Sequence, residues 1–170
     1  VSIDNAIHVA KNIKLQDLDN PELRLESCGN LASKLAEIDR IREELIFFQR
    51  DFTKKKVGAV LDGRDIGSVI FPDAEIKLFV TADLEVRAQR RQEDYKKMGQ
   101  EYSLRDLSEK LKERDKRDKN RKVSPLICMP DAIVFNNSEI SFERLNKEII
   151  EIVKKKYKSC LLYTSDAADD

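Results

Sequence analysis

The sequence has no tryptophan, one histidine, five glycines and four prolines, and its apolar runs break off after a few residues. Without a run of about 20 apolar residues there is no membrane span, and no apolar segment follows a basic start as in a secretory leader. The chain reads as cytosolic. The lone His8 has no partner for a histidine-based site, so a surface or helix-packing role is expected for it. Cys28, Cys128 and Cys160 are odd in number, widely spaced and form no CxxC pair, which suggests neither a disulfide framework nor a zinc site, and reduced thiols are expected. Scarce Gly and Pro beside 38% charged residues suit a helix-rich protein rather than a sandwich, a collagen-like chain or a disordered tail. Basic and acidic residues balance at 32 each, so there is no global field to attract nucleic acid, and the absence of Trp removes the best stacking platform for single strands. With 170 residues, one domain is expected.

What is present begins with amphipathic helix patterns. Ile3, Ala6, Ile7 and Ala10 recur at helical spacing, and Leu31, Leu35, Ile38, Ile41, Leu45, Phe48 and Phe52 predict one long helix or two joined ones, ended by Lys54 to Lys56. Val57–Leu61, Ile76–Val80 and Ala132–Phe135 are short apolar runs bounded by turn residues, and each reads as a buried strand. Helices are expected over Asp83–Met98, from Ser103 with Asp106 as a capping pair, and over Ser141–Lys158. Alternating strands and helices predict an α/β fold, a parallel sheet with helices on both faces, in which ligands bind beyond the carboxyl ends of the strands. That edge receives Asp62, Gly63, Arg64 and Asp65. The final segment, CLLYTSDAADD, departs from the preceding Lys/Glu/Ile-rich pattern and matches a translated transposase-end sequencing adapter, so residues 160–170 are expected not to be native. At the other end the chain starts at Val1 inside a helical pattern, which predicts a missing N-terminus.

The stretch KERDKRDKNR, Lys112 to Arg121, holds no apolar residue. On a helical wheel, Leu104, Leu107 and Leu111 form a stripe that Arg114, Asp118 and Arg121 continue, while Lys112, Lys116 and Lys119 fall opposite. The sorting bears on chemistry. A guanidinium fork makes bidentate bonds to phosphate or carboxylate, whereas lysine is a strongly hydrated point charge. The competing reading is a solvated salt-bridge face, with Arg114 on Asp118 and Arg117 on Asp118 or Glu113.

Taken together, LDGRDIGSVIFPDAEIKLFVTA (Leu61 to Ala82), RAQRR (Arg87 to Arg91) and KERDKRDKNR followed by SPL resemble, in order and spacing, the bacterial cytidylate kinases, over about Pro21 to Lys158. The resemblance implies the fold of P-loop nucleoside monophosphate kinases and phosphoryl transfer from ATP, with Mg2+, to CMP or dCMP by a monomer with no membrane or nucleic acid partner. It divides the chain into a helical monophosphate-binding part, about 1–56, and a remaining core with the lid, 57–159. By position it implies Arg64 on the acceptor phosphate and Asp65 holding the nucleotide. Arg114, Asp118 and Arg121 fall to CMP, with Arg114 and Asp118 toward the sugar. Ser33 and Arg42 align with base recognition, and Arg90 and Arg91 with the ATP phosphates, although a basic solvated helix explains those two equally well.

Two departures stand out. No G-x-x-x-x-G-K-[ST] is present, so the cradle for the ATP phosphates and its central strand are absent from this sequence. Leu25 stands where the family has threonine after an arginine. The chain by itself is therefore expected to be inactive. Two other readings stay open: another monophosphate kinase of the same fold, and a non-catalytic module that binds RNA or another anion.

Overall fold

The computed structural model describes residues 2–54 and 58–165, with side chains up to residue 157 and excepting those of residues 24 and 26. It is mostly helical with a small parallel sheet, a mixed α/β fold of the kind expected of a nucleoside monophosphate kinase. No described helix is long and apolar enough to cross a membrane. The chain divides into two compact units, Val1–Ala74 with Glu113–Met129, and Glu75–Lys112 with Pro130–Asp170.

The first unit begins with α1, Ile3–Asn12, whose N-terminus is capped by the Ser2 hydroxyl accepting from the Asn5 N–H at 3.2 Å. Of the two forms expected for the next apolar pattern, two helices are found: α2, Glu26–Leu35, and α3, Asp39–Lys54. Ile7 and Ala10 of α1 meet Ile41 of α3 in a core that Ala6, Leu35, Ile38 and Leu45 complete, while Ile3 and Leu31, at the starts of the two apolar patterns, are exposed. A single turn of π-helix spans Ile66–Ile70 directly after the Asp62–Asp65 loop.

The second unit carries β1, Leu78–Thr81, paired in parallel with β2, Ile133–Asn136, so that Leu78 faces Ile133 and Thr81 faces Asn136. The long crossover between them includes α4, Leu84–Lys97, and the first half of α5, Leu104–Asn120. Gly99 ends α4 with φ 73°, and the Gly99 and Gln100 N–H groups donate to the Lys96 and Tyr95 carbonyls at 3.0 and 2.9 Å. This is a Schellman stop, and it uses the left-handed conformation that glycine adopts without steric cost. Ala88, Tyr95 and Leu107 form the buried cluster of this unit, with Tyr102 and Leu111 against it. Helix α6, Phe142–Ser165, follows β2.

Three expectations need correction. The strands expected to be buried form β1 and β2, but Val80, Ile133 and Val134 are exposed and only Phe135 is buried, because among the described residues no further strand joins the pair. Gly58 to Leu61 form no strand, Val60 is 98% exposed, and Val57 lies outside the described residues. An apolar run becomes a strand only where a neighbour takes up its backbone groups, and none does so among the described residues. Leu104, expected on the buried stripe of α5, is exposed in the first turn of that helix, and burial starts at Leu107.

Candidate functional site

Among the described residues the buried polar or charged side chains are Ser33, Arg42, Asp65 and Asp118. All four belong to the first unit. Charged side chains are rarely buried unless paired, so each needs a partner or a ligand.

The loop before the π turn fixes the first pair. The Asp65 carbonyl accepts from the Ser68, Val69 and Ile70 N–H groups, and the Phe71 N–H donates to the Ile66 carbonyl at 2.7 Å. Arg50 of α3 donates to the Ile70 and Val69 carbonyls at 3.1 and 3.3 Å, which ties the far end of the turn to the helix. Held from both sides, Asp65 presents its carboxylate to the guanidinium of Arg42, one helical face away on α3, and the two form a buried hydrogen-bonded ion pair. Burial, and then the positive charge of Arg121, pull the Arg42 guanidinium below its ordinary pKa, with Asp39 opposing. Two arginines that act on each other in this way make a place where an anion is favoured.

The second half of α5 supplies the other wall. Asp118 is 2% exposed, with Arg64 Nε 3.3 Å and Arg114 Nε 4.0 Å from its Oδ2. Arg121 is anchored at the helix end by donating from Nε to the carbonyl of Ser124, a residue at φ 49°, and the Leu126 N–H donates to the Asp118 carbonyl at 2.7 Å. Lys112, Lys116 and Lys119 are exposed, as the wheel required. Helix α2 passes close by: a Cβ added at Gly29 would lie 3.5 Å from Arg114 Nη1, in ordinary contact. One turn further along α2, the Ser33 Oγ is buried and has no hydrogen-bond partner among the described residues.

Thus Ser33, Arg42, Arg64, Asp65, Arg114, Asp118 and Arg121 are all residues of one compact unit, drawn from two helices, a loop and the end of a third helix. Arg90 and Arg91 belong to the other unit. There Arg90 donates to the Asn137 side-chain oxygen at 2.9 Å and to its carbonyl at 2.7 Å, and Arg91 donates to the Tyr95 hydroxyl at 3.0 Å and lies 4.8 Å from that ring's centroid. Arg50 and Asn137 were not singled out from the sequence. The Asn136-Asn137 pair that closes β2 was the only signal for the second, and nothing marked the first, because its partners are backbone carbonyls. No group of three or more His, Cys, Asp or Glu side chains that could hold a metal ion is found among the described residues.

Chemically, the seven candidate residues set the guanidinium forks of Arg42, Arg64, Arg114 and Arg121 against the carboxylates of Asp65 and Asp118, and add the buried Ser33 hydroxyl, which has no hydrogen-bond partner among the described residues. Such a set suits a small phosphorylated ligand with hydrogen-bonding groups. Comparison with known proteins gives the family. The family model for cytidylate kinase matches residues 3–155. The cytidylate kinase of Methylococcus capsulatus is 44% identical over 129 residues, 76% of this chain and 58% of that protein. Those of Cereibacter sphaeroides and Afipia carboxidovorans are 40% identical over 148 residues and 41% identical over 150, each match covering 72% of the relative and 87% and 88% of this chain. The chain therefore spans between about three-fifths and three-quarters of these relatives. With its model matched from residue 3 to residue 155, the chain belongs to the cytidylate kinase family.

Proposed function

We propose that the first unit is the acceptor-nucleotide site of an enzyme that phosphorylates CMP or dCMP to the diphosphate at the expense of ATP. The observation that carries this reading is the burial of Ser33, Arg42, Asp65 and Asp118 together in one unit, with Arg64, Arg114 and Arg121 among their neighbours in that unit. Phosphoryl transfer asks little covalent chemistry of the protein and much positioning and neutralisation of charge. Arg64 and Arg121 take the acceptor phosphate and hold its attacking oxygen in place. Asp118, oriented by Arg64 and Arg114, accepts from the sugar hydroxyls. Arg42 and Ser33 address the polar edge of the cytosine, and Asp65 keeps Arg42 in its rotamer.

The donor side is ATP carrying Mg2+, whose ligands are largely phosphate oxygens and water, so a dedicated protein cage is not required. Arg90 and Arg91 are assigned to the ATP phosphates. The sequence holds no phosphate-cradling glycine loop with its lysine, and the 170-residue chain alone is proposed to bind CMP without turning it over. The enzyme acts in the cytoplasm as a monomer.

Calorimetric titration of the chain with CMP, dCMP, AMP and UMP tests the site. CMP or dCMP should bind measurably and the others more weakly; equal binding of AMP or UMP would assign the site to a different monophosphate kinase. Binding of RNA with steep salt dependence and no preference for CMP would favour a non-catalytic module instead. Turnover of CMP by this chain alone would refute the proposed inactivity.

A further inference from the structure

We infer that Arg117 is an additional phosphate-binding residue of this site, an inference that rests on reading the site as one for a nucleoside monophosphate. Neither the sorting of charges along α5 nor the family resemblance assigned it such a role. At about 100° per residue, Arg117 falls beside Arg121 and Arg114 on the arc opposite the exposed lysines. The burial agrees: Arg117 is half-buried, while Lys116 and Lys119 on either side of it are exposed.

Its Nη1 is buried and has no hydrogen-bond partner among the described residues. The sequence offered two acceptors. Glu113 is exposed to solvent, and the inward carboxylate oxygen of Asp118 lies within ion-pair reach of Arg64 and Arg114. A charged donor withdrawn from water without an acceptor is destabilising, and it persists where a ligand supplies the missing oxygen. An anionic ligand suits the place, because the five buried or half-buried guanidinium groups of Arg42, Arg64, Arg114, Arg117 and Arg121 stand against three carboxylates of the same loop and helix end, those of Asp65, Asp115 and Asp118. Phosphate fits better than a sugar hydroxyl or a base: a guanidinium is donor-only, and it bonds most strongly to an anionic oxygen.

The test compares wild type, Arg117→Met and Arg117→Gln for binding of CMP, cytidine and inorganic phosphate by calorimetry, with thermal unfolding measured in parallel. Loss of one charge-assisted bond should weaken CMP and phosphate by roughly 10- to 100-fold and leave cytidine affinity unchanged. Unchanged CMP and phosphate affinity in a folded variant overturns the inference, as does an equal loss for cytidine, which would mark a structural role. If Arg117→Met does not fold, Arg117→Gln decides by the same comparison. A wild type that binds phosphate but not cytidine, with phosphate lost in the variants, supports Arg117 while sinking the nucleotide assignment. Binding of none of the three ligands by the wild type sinks both.

Discussion

Arg64 Nε lies 3.3 Å from the carboxylate Oδ2 of Asp118, and of the two only the arginine reaches solvent, its side chain being 39% exposed against 3% for the aspartate. The Asp62–Asp65 loop and the last turns of α5 are thereby joined through one charge pair. The aspartate is fixed by its helix and the arginine is free to turn its outer face to a ligand.

Asp118→Asn should therefore act on two quantities. It leaves Arg64 and Arg114 without their shared carboxylate, and because Arg64 is partly solvated the cost should be about 1–2 kcal/mol in urea unfolding, below the range for a fully buried pair. If Asp118 holds the sugar as proposed, CMP affinity should fall by more than this stability change implies, since one of its two acceptor oxygens becomes a donor and the charge is lost. A stability loss with full CMP affinity would remove Asp118 from the site.

The Arg42–Asp65 pair is buried on both sides and should behave differently. Arg42→Met or Asp65→Leu alone strands one charge and should cost about 3–5 kcal/mol. The double variant should recover much of that stability, because an apolar pair of similar volume avoids desolvation altogether. It should not recover CMP binding. A double-mutant cycle by chemical unfolding beside CMP titration separates the two effects, and a double variant that still binds CMP like wild type would make the pair purely structural.

How much of this was legible in the residues differs from place to place. The division of KERDKRDKNR was, because helical spacing and the different hydration of arginine and lysine are local properties, and burial of Asp118 beside exposed Lys116 and Lys119 follows the same wheel. The loop from Asp62 to Asp65 was visible as a turn, but its continuation into a π turn was not, since that depends on Arg50 reaching two carbonyls some 20 residues away. Gly58 to Leu61 misled for the same reason. Apolarity there announced burial and a strand, and neither is found at residues 58–60, since both are made by a partner that the run itself does not specify.

Gly99 offers a check on a feature that was legible, the stop after α4. At φ 73° an alanine pays the left-handed penalty, so Gly99→Ala should destabilise by about 1 kcal/mol with no effect on CMP binding. Open space around the position excludes a steric clash as the cause. Thermal unfolding measures it, and an unchanged midpoint would mean the helix end can relax into another conformation.

The acid limit of stability should report on Asp131. Its hydrogen bond from Lys77 at 2.6 Å holds the carboxyl below the usual aspartate range, with burial opposing. A carboxyl whose pKa is lowered on folding stabilises above its unfolded pKa and loses that contribution as pH falls through the folded one. Wild type should therefore lose stability relative to Asp131→Asn as the medium is acidified below the ordinary aspartate pKa, and the two curves should converge at the lowest pH. Parallel curves for the two proteins across the acid range would show that Lys77 does not hold this carboxylate in solution.

Ser33 gives the sharpest separation of binding from folding. Its buried Oγ has no hydrogen-bond partner among the described residues, so in the unliganded protein the hydroxyl is a cost rather than a support. Ser33→Ala should leave the unfolding midpoint unchanged or raise it, by up to about 1 kcal/mol of stability. If the hydroxyl is reserved for the nucleotide, the same change should weaken CMP by roughly 10-fold, the worth of one hydrogen bond in a site from which water is excluded. Affinity measured by calorimetry should then fall while stability measured by unfolding holds or rises. A variant that loses stability while keeping CMP affinity would place Ser33 in the fold of α2 instead of in the site.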